Sequence, residues 1–453
     1  MVSVLWFRRD LRLGDHPALL AAADDGGRRH GVVPLFVVDP ALWGPSGLVR
    51  RAWLVRSLCD LDRRLGGGLV VRHGNPADVV PRLAAELGAE RVHVTADAGP
   101  YGRRRDAAVG RALDADNRAL VATGTPYAVG PGTITQANGD PYKVFSPFFR
   151  AWTRHGWPAP APSPPVATGV LWARDVGTED LPPEPDLGTT VLPAVGEEAA
   201  LARWRTFRDG VLEGYDESRN RPDVDGTSAL SAHLKYGEIH PRTLLADIAG
   251  LRTAAADSYR SELCWREFYA DVLWHRPESA RENLRHEFDR MTVDEPGARF
   301  DAWREGRTGY PFVDAGMRQL LAEGWVHNRV RMVVASFLVK DLHVWWPLGA
   351  RWFMERLRDG DLASNQHGWQ WVAGTGTDPA PFFRIFNPVT QGEKFDPAGD
   401  YVRRYVPELR HLAGKAAHAP WNAPDGYAHG YPQRIVDHGA ERAEALRRYE
   451  AIR

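Results

Sequence analysis

Apolar runs and helical stretches alternate along the first hundred residues, and no other feature of the chain constrains its fold as strongly. Four short runs are rich in β-branched residues and nearly continuously apolar, as strands buried on both faces are: "VSVLWF" (2–7), "VVPLFVVD" (32–39), "LVVRHG" (69–74) and "RVHVTAD" (91–97). Helical patterns lie between them at 47–65 and 76–88. This alternation predicts βαβ units and therefore a doubly wound, Rossmann-like parallel sheet.

The loop after the first run, "RRDLRLGDHPAL" (8–19), has no G-x-G-x-x-G pattern. That pattern lets a backbone approach a dinucleotide pyrophosphate closely. We therefore expect the sheet to hold either no ligand or an unusual one.

The chain changes character after about residue 130. Residues 157–194 are rich in proline, which is a linker composition. From 196 onward strand signals mostly vanish, and helical spacing dominates at 259–274, at 314–342 with a break near Gly324, and at 350–360. We predict an α/β domain over 1–130, a linker over 131–195, and an all-α domain over 196–453.

Composition narrows the class of protein. The chain has 453 residues, a formal net charge of −1 and two cysteines. The charge excludes a uniformly basic coat but leaves room for a local basic groove. With so few cysteines, no signal-peptide pattern and no apolar run of spanning length, we expect a cytoplasmic protein without membrane segments.

Tryptophan is unusually abundant, with 17 residues. Two of them fall in "DGDLASNQHGWQWVAGTGTD" (359–378), among aspartates and amides. Each buried indole needs a hydrogen-bond partner, and an exposed one offers a stacking surface. A Trp-rich helical core and a site for a flat aromatic ligand both fit this pattern.

Three short motifs carry side chains suited to a binding site. On a helix, Glu262, Trp265 and Arg266 share one face, and the spacing fits either an intrahelical ion pair or a base-stacking site. Asn328, Arg331 and Met332 share a face in the same way. The hydroxyls of "GTSALSAHLKYG" (226–237) fit either a helix cap or a phosphate site.

Taken together and in order, the motifs resemble the DNA photolyase and cryptochrome family. They are Tyr215 followed by "TSALS", "WREF", "GRTGYPFVDAGMRQL", "GWVHNRVRM", "DGDLASN", "WQW" and "FNPVTQGEKFD". The resemblance covers nearly the whole chain and is greatest for class I photolyases that use a deazaflavin antenna. It implies an N-terminal α/β antenna domain, a helical domain that holds FAD, and light-driven repair of cyclobutane pyrimidine dimers in DNA.

The resemblance also implies a set of FAD contacts. Those expected to line the FAD and its pyrophosphate are Tyr215, Thr227, Ser228, Leu230 and Ser231. Those expected to flank the flavin or face its ribose side and N5 are Trp265, Arg266, Asn328, Arg331, Asp359, Asp361 and Asn365. Many relatives have arginine at the position of Ala229, and we expect FAD binding to survive this difference.

An amide at Asn365 suits a reduced, anionic flavin. A carboxylate about 4 Å away would oppose that charge by roughly 4 kcal/mol at an effective dielectric constant near 20. An amide imposes no such net-charge penalty.

The resemblance further implies a pocket for a flipped-out dimer. Trp265 and Trp371 would form its walls, Glu262 would hydrogen-bond the lesion, and Met332 would pack at its edge. Relatives that repair (6-4) photoproducts carry histidines at the positions of Asn328 and Met332, so the cyclobutane dimer is the expected substrate. Further expected contacts to UV-damaged DNA are Arg219, Arg329, Arg384, Gln391 and Lys394.

Two tryptophans match a chain that carries electrons to the flavin. Trp369 and Trp346 match its inner and middle members, but the outer position aligns near Val293. Trp303, Trp345, Trp352 or a tyrosine are the candidates to replace it.

The antenna is predicted from the loop "DAGPYGRRRD" (97–106), which resembles that of relatives binding 8-hydroxy-5-deazaflavin. Asp97 and Lys235 match contact positions there. Methenyltetrahydrofolate and no antenna are the alternatives.

A cryptochrome and a dark flavoprotein oxidoreductase are the alternatives to repair. A cryptochrome would signal through a partner, but the chain ends soon after the helical region and keeps the lesion-pocket residues. A dark flavoprotein oxidoreductase would need the missing nicotinamide fingerprint. We expect a monomer with no obligate protein partner and no metal.

Overall fold

The computed structural model describes residues 2–162, 172–173, 176–377 and 383–452. The chain forms two compact units that interleave in sequence. Unit 1 is built from Met1–Leu187, Pro193–Gly210 and Ser228–Pro277, and unit 2 from Gly188–Leu192, Val211–Thr227 and Glu278–Arg453. The three consecutive domains expected from composition stay a prediction, and residues 163–171 and 174–175 of the expected linker lie outside the described residues.

Unit 1 contains a five-stranded parallel sheet in the order β3-β2-β1-β4-β5. The strands are β1 Ser3–Phe7, β2 Val32–Val38, β3 Val70–His73, β4 Arg91–Val94 and β5 Ala119–Ala122. In register, Val4 of β1 lies opposite Val33 on one side and Val92 on the other. The doubly wound α/β fold is therefore confirmed, and β1 and β4 flank the point where the strand order reverses.

Burial explains why the first strands were predictable. All five residues of β1 and all seven of β2 are buried, which requires an apolar run rather than an alternating one. β5 was not predicted, because its four residues, "ALVA", are only half-buried or exposed and lack that contrast.

The helices of unit 1 surround the sheet and continue beyond it. They are α1 Pro17–His30, α2 Pro40–Trp43, α3 Leu48–Arg64, α4 Pro76–Glu86, α5 Pro100–Asp114, α6 Phe145–His155, α7 Glu197–Gly210, α9 Ser231–Tyr236, α10 Pro241–Asp247 and α11 Ala254–His275. The helices predicted at 47–65 and 76–88 correspond to α3 and α4.

Unit 2 is helical throughout the described residues, and its core includes Trp303, Phe312 and Trp369. Its helices are α8 Tyr215–Ser218, α12 Ala298–Arg304, α13 Pro311–Glu323, α14 Asn328–Ser336, α15 Trp346–Arg356, α16 Leu362–Ala373, α17 Pro388–Phe395, α18 Asp400–Tyr405, α19 Lys415–His418 and α20 His438–Glu450. Shorter turns are the 3₁₀ segments Leu212–Gly214, Pro277–Ala280, His286–Arg290, Pro407–Leu409 and Pro420–Asn422, and a π turn at Phe337–Asp341.

The predicted break near Gly324 is present, because Gly324 ends α13 in the left-handed region with φ 61°. The helix predicted over 350–360 instead begins at Trp346 and ends at Arg356.

Part of the proline-rich segment completes the sheet. Val71 of the edge strand β3 donates its backbone N–H to the Thr178 hydroxyl, at 2.9 Å, and accepts from the N–H of Glu179, at 3.0 Å. The segment therefore pairs with a strand edge that would otherwise present free backbone groups. Within the described residues, no helix combines the length and the apolar character needed to cross a bilayer.

Candidate functional site

Trp265 of α11, in unit 1, is held by a stack of aromatic rings. Phe145 of α6 lies parallel to it, with ring centroids 3.7 Å apart and an interplanar angle of 7°. Phe149 stacks on Phe145 at 5.7 Å, and Tyr269 packs at an angle on Trp265 at 5.3 Å. One face of the half-buried indole is thus covered by Phe145, which fixes the plane of the Trp265 ring.

Arg266 and Glu262, which lie beside Trp265 on α11, make different contacts. Arg266 donates to the carbonyl oxygens of Pro126 and Leu234, at 3.0 and 3.2 Å, and so ties α11 to the residues around α9. Glu262 lies one turn from Tyr259, whose pKa is raised by burial and by the Glu262 charge. The half-buried Glu262 therefore belongs to a polar group on this helix.

The hydroxyl motif is anchored to the same helix. Ser228 hydrogen-bonds through its side chain to Tyr259, and its carbonyl accepts from Arg203 Nε at 2.9 Å. Ala229 adopts φ 52°, in the left-handed region that a non-glycine residue enters at a cost. Leu230 is buried, and the exposed Ser231 begins α9. The strained turn at Ala229 thus presents the backbone between two serines.

In unit 2, an ion pair joins the two motifs predicted on α14 and before α16. Arg331 donates to Asp359 Oδ2 at 2.8 Å and to the carbonyl oxygen of Val326 at 2.7 Å. Asp359 is buried, whereas Asn328 at the start of α14 is exposed. The structure thus brings Arg331 and Asp359 together, and their contacts to a flavin stay a prediction.

The amide of Asn365 on α16 has a fixed orientation. Its Nδ2 donates to the Ala350 carbonyl at 3.0 Å and to Gln366 Oε1 at 2.8 Å. Gln366 is itself oriented, since its Nε2 donates to the Ala280 carbonyl at 2.7 Å. Asn365 Oδ1 accepts no hydrogen bond from any described residue, so an acceptor is left for a ligand. The N5–H group of a reduced flavin is a donor that would suit this acceptor.

The two tryptophans of "WQW" serve different environments, because residues two apart lie on opposite sides of a helix. Trp369 is buried in the core against Phe353 and Trp303, with ring centroids 5.2 and 6.2 Å away. Trp371 is half-buried, and the Arg384 guanidinium lies 4.9 Å from its ring. Trp369 therefore fits the core interpretation of this motif, and the stacking interpretation stays a prediction for Trp371.

The remaining flavin candidates of unit 2 are partly engaged by the protein. Asp361 caps α16 by accepting from the N–H of Ser364 at 3.1 Å. Tyr215 is buried at the start of α8, and Thr227 is half-buried in the segment between α8 and α9. Asp361 thus positions the helix that carries Asn365, whatever else it contacts.

The DNA candidates of unit 2 form a cationic cluster and an outlying group. Arg329 donates to Asn220 Oδ1 at 2.8 Å, and its pKa is lowered by burial and by the neighbouring charge of Arg219. Met332 packs against the core, and Lys394 is exposed on α17. Gln391 Oε1 is buried without a hydrogen-bond partner among the residues the structure describes.

The antenna candidates of unit 1 lie beside Arg9, near the carboxyl ends of β1 and β4. Burial would raise the pKa of Asp97, but Arg9, Arg105 and Arg8 hold it below its usual value. Asp97 pairs with Arg105 at 3.1 Å, and Arg9 Nε donates to the Lys235 carbonyl at 3.2 Å. This is the edge at which doubly wound sheets bind ligands.

Two positioning side chains were not predicted, Phe145 and Gln366. The helical spacing of apolar residues in "FSPFFRAW" (145–152) is a readable signal for α6, but not for which ring meets Trp265. Gln366 gave no signal beyond standing next to Asn365. In the ranges described, no group of three or more His, Cys, Asp or Glu side chains is arranged to hold a metal ion.

Comparison with known proteins places this geometry in a family. The model for DNA photolyase matches residues 3–166, and the model for the FAD binding domain of DNA photolyase matches residues 259–451. The deoxyribodipyrimidine photo-lyase of Agrobacterium fabrum is 41% identical, over 99% of this chain and 98% of its own length.

Solved structures agree. A class III photolyase from Agrobacterium tumefaciens superposes with a TM-score of 0.91 at 40% identity, covering 99% of this chain and 97% of that one. An archaeal photolyase from Sulfolobus tokodaii with two FAD molecules gives a TM-score of 0.85 at 29% identity, covering 100% of both chains. The chain belongs to the DNA photolyase family.

Proposed function

We propose that this protein repairs cyclobutane pyrimidine dimers in DNA, using light and bound FAD. The observation that carries the proposal is helix α16, which holds an oriented amide acceptor at Asn365, a core-facing Trp369 and a half-buried Trp371. When bound, reduced FAD supplies the photoexcited electron that opens the dimer and is then returned. The full-length identity to a deoxyribodipyrimidine photo-lyase supports the same reaction.

The side chains hold and orient rather than transfer protons. In unit 2, Asn365 Oδ1 accepts from the flavin, while Arg331 and Asp359 compensate each other's charge beside it. In unit 1, the hydroxyls of Ser228 and Ser231 are proposed to contact the FAD phosphates. The other flavin contacts remain as expected from the resemblance: Tyr215, Thr227, Leu230, Trp265, Arg266, Asn328 and Asp361.

Stacking and hydrogen bonding are proposed to select the lesion. The rings of Trp265 in unit 1 and Trp371 in unit 2 are each proposed as a stacking surface for a flipped base, worth about 1–3 kcal/mol per base. Glu262 is proposed to hydrogen-bond the dimer, and Met332 to pack at its edge. A damaged base costs less to flip than an intact pair, which adds to the selection.

Phosphate binding is proposed for the cationic cluster of unit 2. Arg219 already disfavours the charge of the half-buried Arg329, so an anion between them would relieve a repulsion. Arg384, Lys394 and Gln391 are proposed as further DNA contacts.

The experiment for this function compares two tryptophans that each carry an arginine. Trp371 has Arg384 at 4.9 Å, and Trp43 has Arg51 at 5.3 Å. W371A is expected to lose about 1–3 kcal/mol of affinity for dimer-bearing over undamaged oligonucleotide, while W43A keeps it. Equal affinities for both oligonucleotides in the wild-type protein would reject lesion recognition and favour the cryptochrome alternative.

For the antenna, we propose a chromophore beside Asp97 and Lys235, with 8-hydroxy-5-deazaflavin as the first candidate. The cations around Asp97 suit an anionic ring system. Protein produced with deazaflavin should gain a second absorption band, and K235E should weaken it. A band gained instead with methenyltetrahydrofolate or a second flavin, or no band at all, would replace this candidate.

The comparisons show that the chain belongs to the DNA photolyase family, but they do not show its class within that family. The expected class I assignment finds no support in them, since the solved structure from Agrobacterium tumefaciens is of class III. A monomeric, cytoplasmic protein remains our proposal, which size-exclusion chromatography with light scattering tests for the oligomeric state.

A further inference from the structure

A cavity of about 50 Å³ in unit 2 is lined by Trp346, the middle tryptophan of the expected electron-transfer chain, and by the exposed residues Val293 and Trp345. Its lining includes Asn283, Val293, Lys340, Trp345 and Trp346. Val293, the position where the outer tryptophan is missing, is 49% exposed, and Trp345 is 47% exposed. Val293 and the exposed indole of Trp345 therefore border the same cavity.

Trp346 has almost no contact with water through which the positive charge of its oxidised ring could be neutralised. It is only 3% exposed, and its Nε1 donates to Asn283 Oδ1 at 2.8 Å. Trp369, on α16, packs against α15 one turn beyond Trp346. A methyl group at Gly349 of α15 would lie 2.3 Å from Trp369 Cη2. Electrons that travel through Trp369 and Trp346 thus need one more donor with access to solvent.

We propose that Trp345 is that terminal donor and takes the place of the tryptophan absent at Val293. This inference rests on the proposed function, because it concerns how the flavin is brought to its reduced state. Trp345 follows Val344 and precedes Trp346 directly, lines the same cavity, and is the large exposed hydrophobic residue there besides Val293.

The electrostatics of the cavity favour this direction. Lys340 is buried, donates to the Ala373 carbonyl at 2.9 Å, and lies over the ring of Phe383. Its cation opposes positive charge in the interior, where screening is weak. At the exposed Trp345, water screens the charge of Lys340. The positive charge left on an oxidised tryptophan is therefore more stable at Trp345 than at the buried Trp346.

The other tryptophans considered are unsuited to this role. Trp352 carries two guanidinium groups over its ring, Arg356 at 4.4 Å and Arg304 at 5.0 Å, and these cations oppose a further positive charge. Trp303 lies 6.2 Å from Trp369 but is fully buried, and its Nε1 donates to the Val334 carbonyl. Its own ring and N–H therefore do not reach solvent.

The step balances as a one-electron transfer. With FAD bound, Trp369 would give one electron to the light-excited oxidised flavin, and Trp346 and then Trp345 would refill Trp369. Trp345 ends one electron short and releases its indole proton to water. An external thiol then gives Trp345 an electron and a proton and is left as a thiyl radical, and two thiyl radicals combine to a disulfide.

The test is light-driven reduction of the FAD-loaded protein in the presence of thiol, followed by transient absorption. W345F is expected to lose the long-lived tryptophan radical and steady flavin reduction. Adding V293W to W345F should restore both, because the new indole borders the same cavity. W352F, the matched control, should behave as the wild type. Y449F should do so too, although Tyr449 stacks at 4.5 Å on Phe383 of the cavity lining.

Several results would overturn the assignment. They are a wild-type radical in W345F, its loss in W352F or Y449F instead, or no recovery in the double variant with FAD fully bound. Chemically reduced wild-type protein is assayed for repair in parallel. Failure there alone would reject the proposed function while leaving the electron path decided by the radical signal.

Discussion

At the scale of single residues, Asn365 is the group whose chemistry is most tightly determined. The Ala280 carbonyl orients Gln366, and Gln366 with the Ala350 carbonyl orients the Asn365 amide. Its free oxygen therefore results from a chain of hydrogen bonds, which neither residue type alone would impose.

Replacing this amide by a carboxylate should disfavour the reduced flavin anion. For N365D we expect the reduction potential of bound FAD to fall, by an amount equivalent to about 4 kcal/mol or less for charges near 4 Å apart. A spectroscopic redox titration measures it. N138D, in an exposed turn, adds the same charge elsewhere and should change nothing; equal potentials in N365D and wild type would contradict the assigned contact.

Phe145 is expected to hold Trp265 in its lesion-binding plane. In F145A the 3.7 Å stack is lost, so the preference for dimer-bearing DNA should fall by about 0.5–1.5 kcal/mol, the strength of an aromatic pair. F145Y keeps the ring and should restore the preference. Competition binding with damaged and undamaged oligonucleotides measures it, and an unchanged preference in F145A would show that the stack is only structural.

At the scale of elements, the sequence predicted what local pattern determines. β1 and β2 were located to within a residue because they are apolar throughout. The helix predicted to begin at 259 begins at Ala254, where the Thr253 side chain accepts from the N–H of Ala256. A threonine at this position is a local capping signal that marks the earlier start.

Contacts between distant segments were not predictable in the same way. Phe145 and Trp265 are 120 positions apart, and no local pattern pairs two aromatic rings across such a distance. The resemblance identified Trp265 as a candidate, whereas only the fold shows that Phe145 stacks on it.

The packing of α15 on α16 gives a prediction with an internal control. A methyl group at Gly349 would lie 2.3 Å from Trp369 and 2.5 Å from Leu338, so G349A should destabilise unit 2 by about 1–3 kcal/mol. A methyl group at Gly368 meets no heavy atom within 4 Å, so G368A should stabilise α16 by about 0.4–1 kcal/mol. Thermal unfolding measures both, and opposite shifts are expected.

α11 carries a buried acid that should make stability depend on pH. Glu267 accepts from the N–H of Val129 at 3.0 Å and from Trp152 Nε1 at 2.7 Å, yet burial raises its pKa from 4.5 to about 7. A raised pKa means the folded state binds the proton more tightly. Stability from this group is therefore full below pH 4.5 and lost as the pH rises through 7.

The expected loss is about 3 kcal/mol, and E267Q should flatten it. Denaturant unfolding at pH 5 and pH 7.5 gives the difference for each protein. Identical differences in wild type and E267Q would place the titration elsewhere.

At the scale of the whole molecule, a formal net charge of −1 leaves DNA binding to local clusters. Unit 1 contributes a doubly wound sheet with cations at the ends of β1 and β4, and unit 2 contributes the helical core that encloses Trp369 and Trp346. Each unit thus carries its own part of the chemistry expected from the resemblance.

The most direct test of the account is loss of cyclobutane dimers under blue light. Full-length protein with reduced FAD is mixed with an oligonucleotide that bears one thymine dimer, and half of the sample is kept dark. We predict that dimers disappear only in the illuminated half and that (6-4) photoproducts persist in both. Dimers that persist under illumination, with reduced FAD bound, would contradict the central claim.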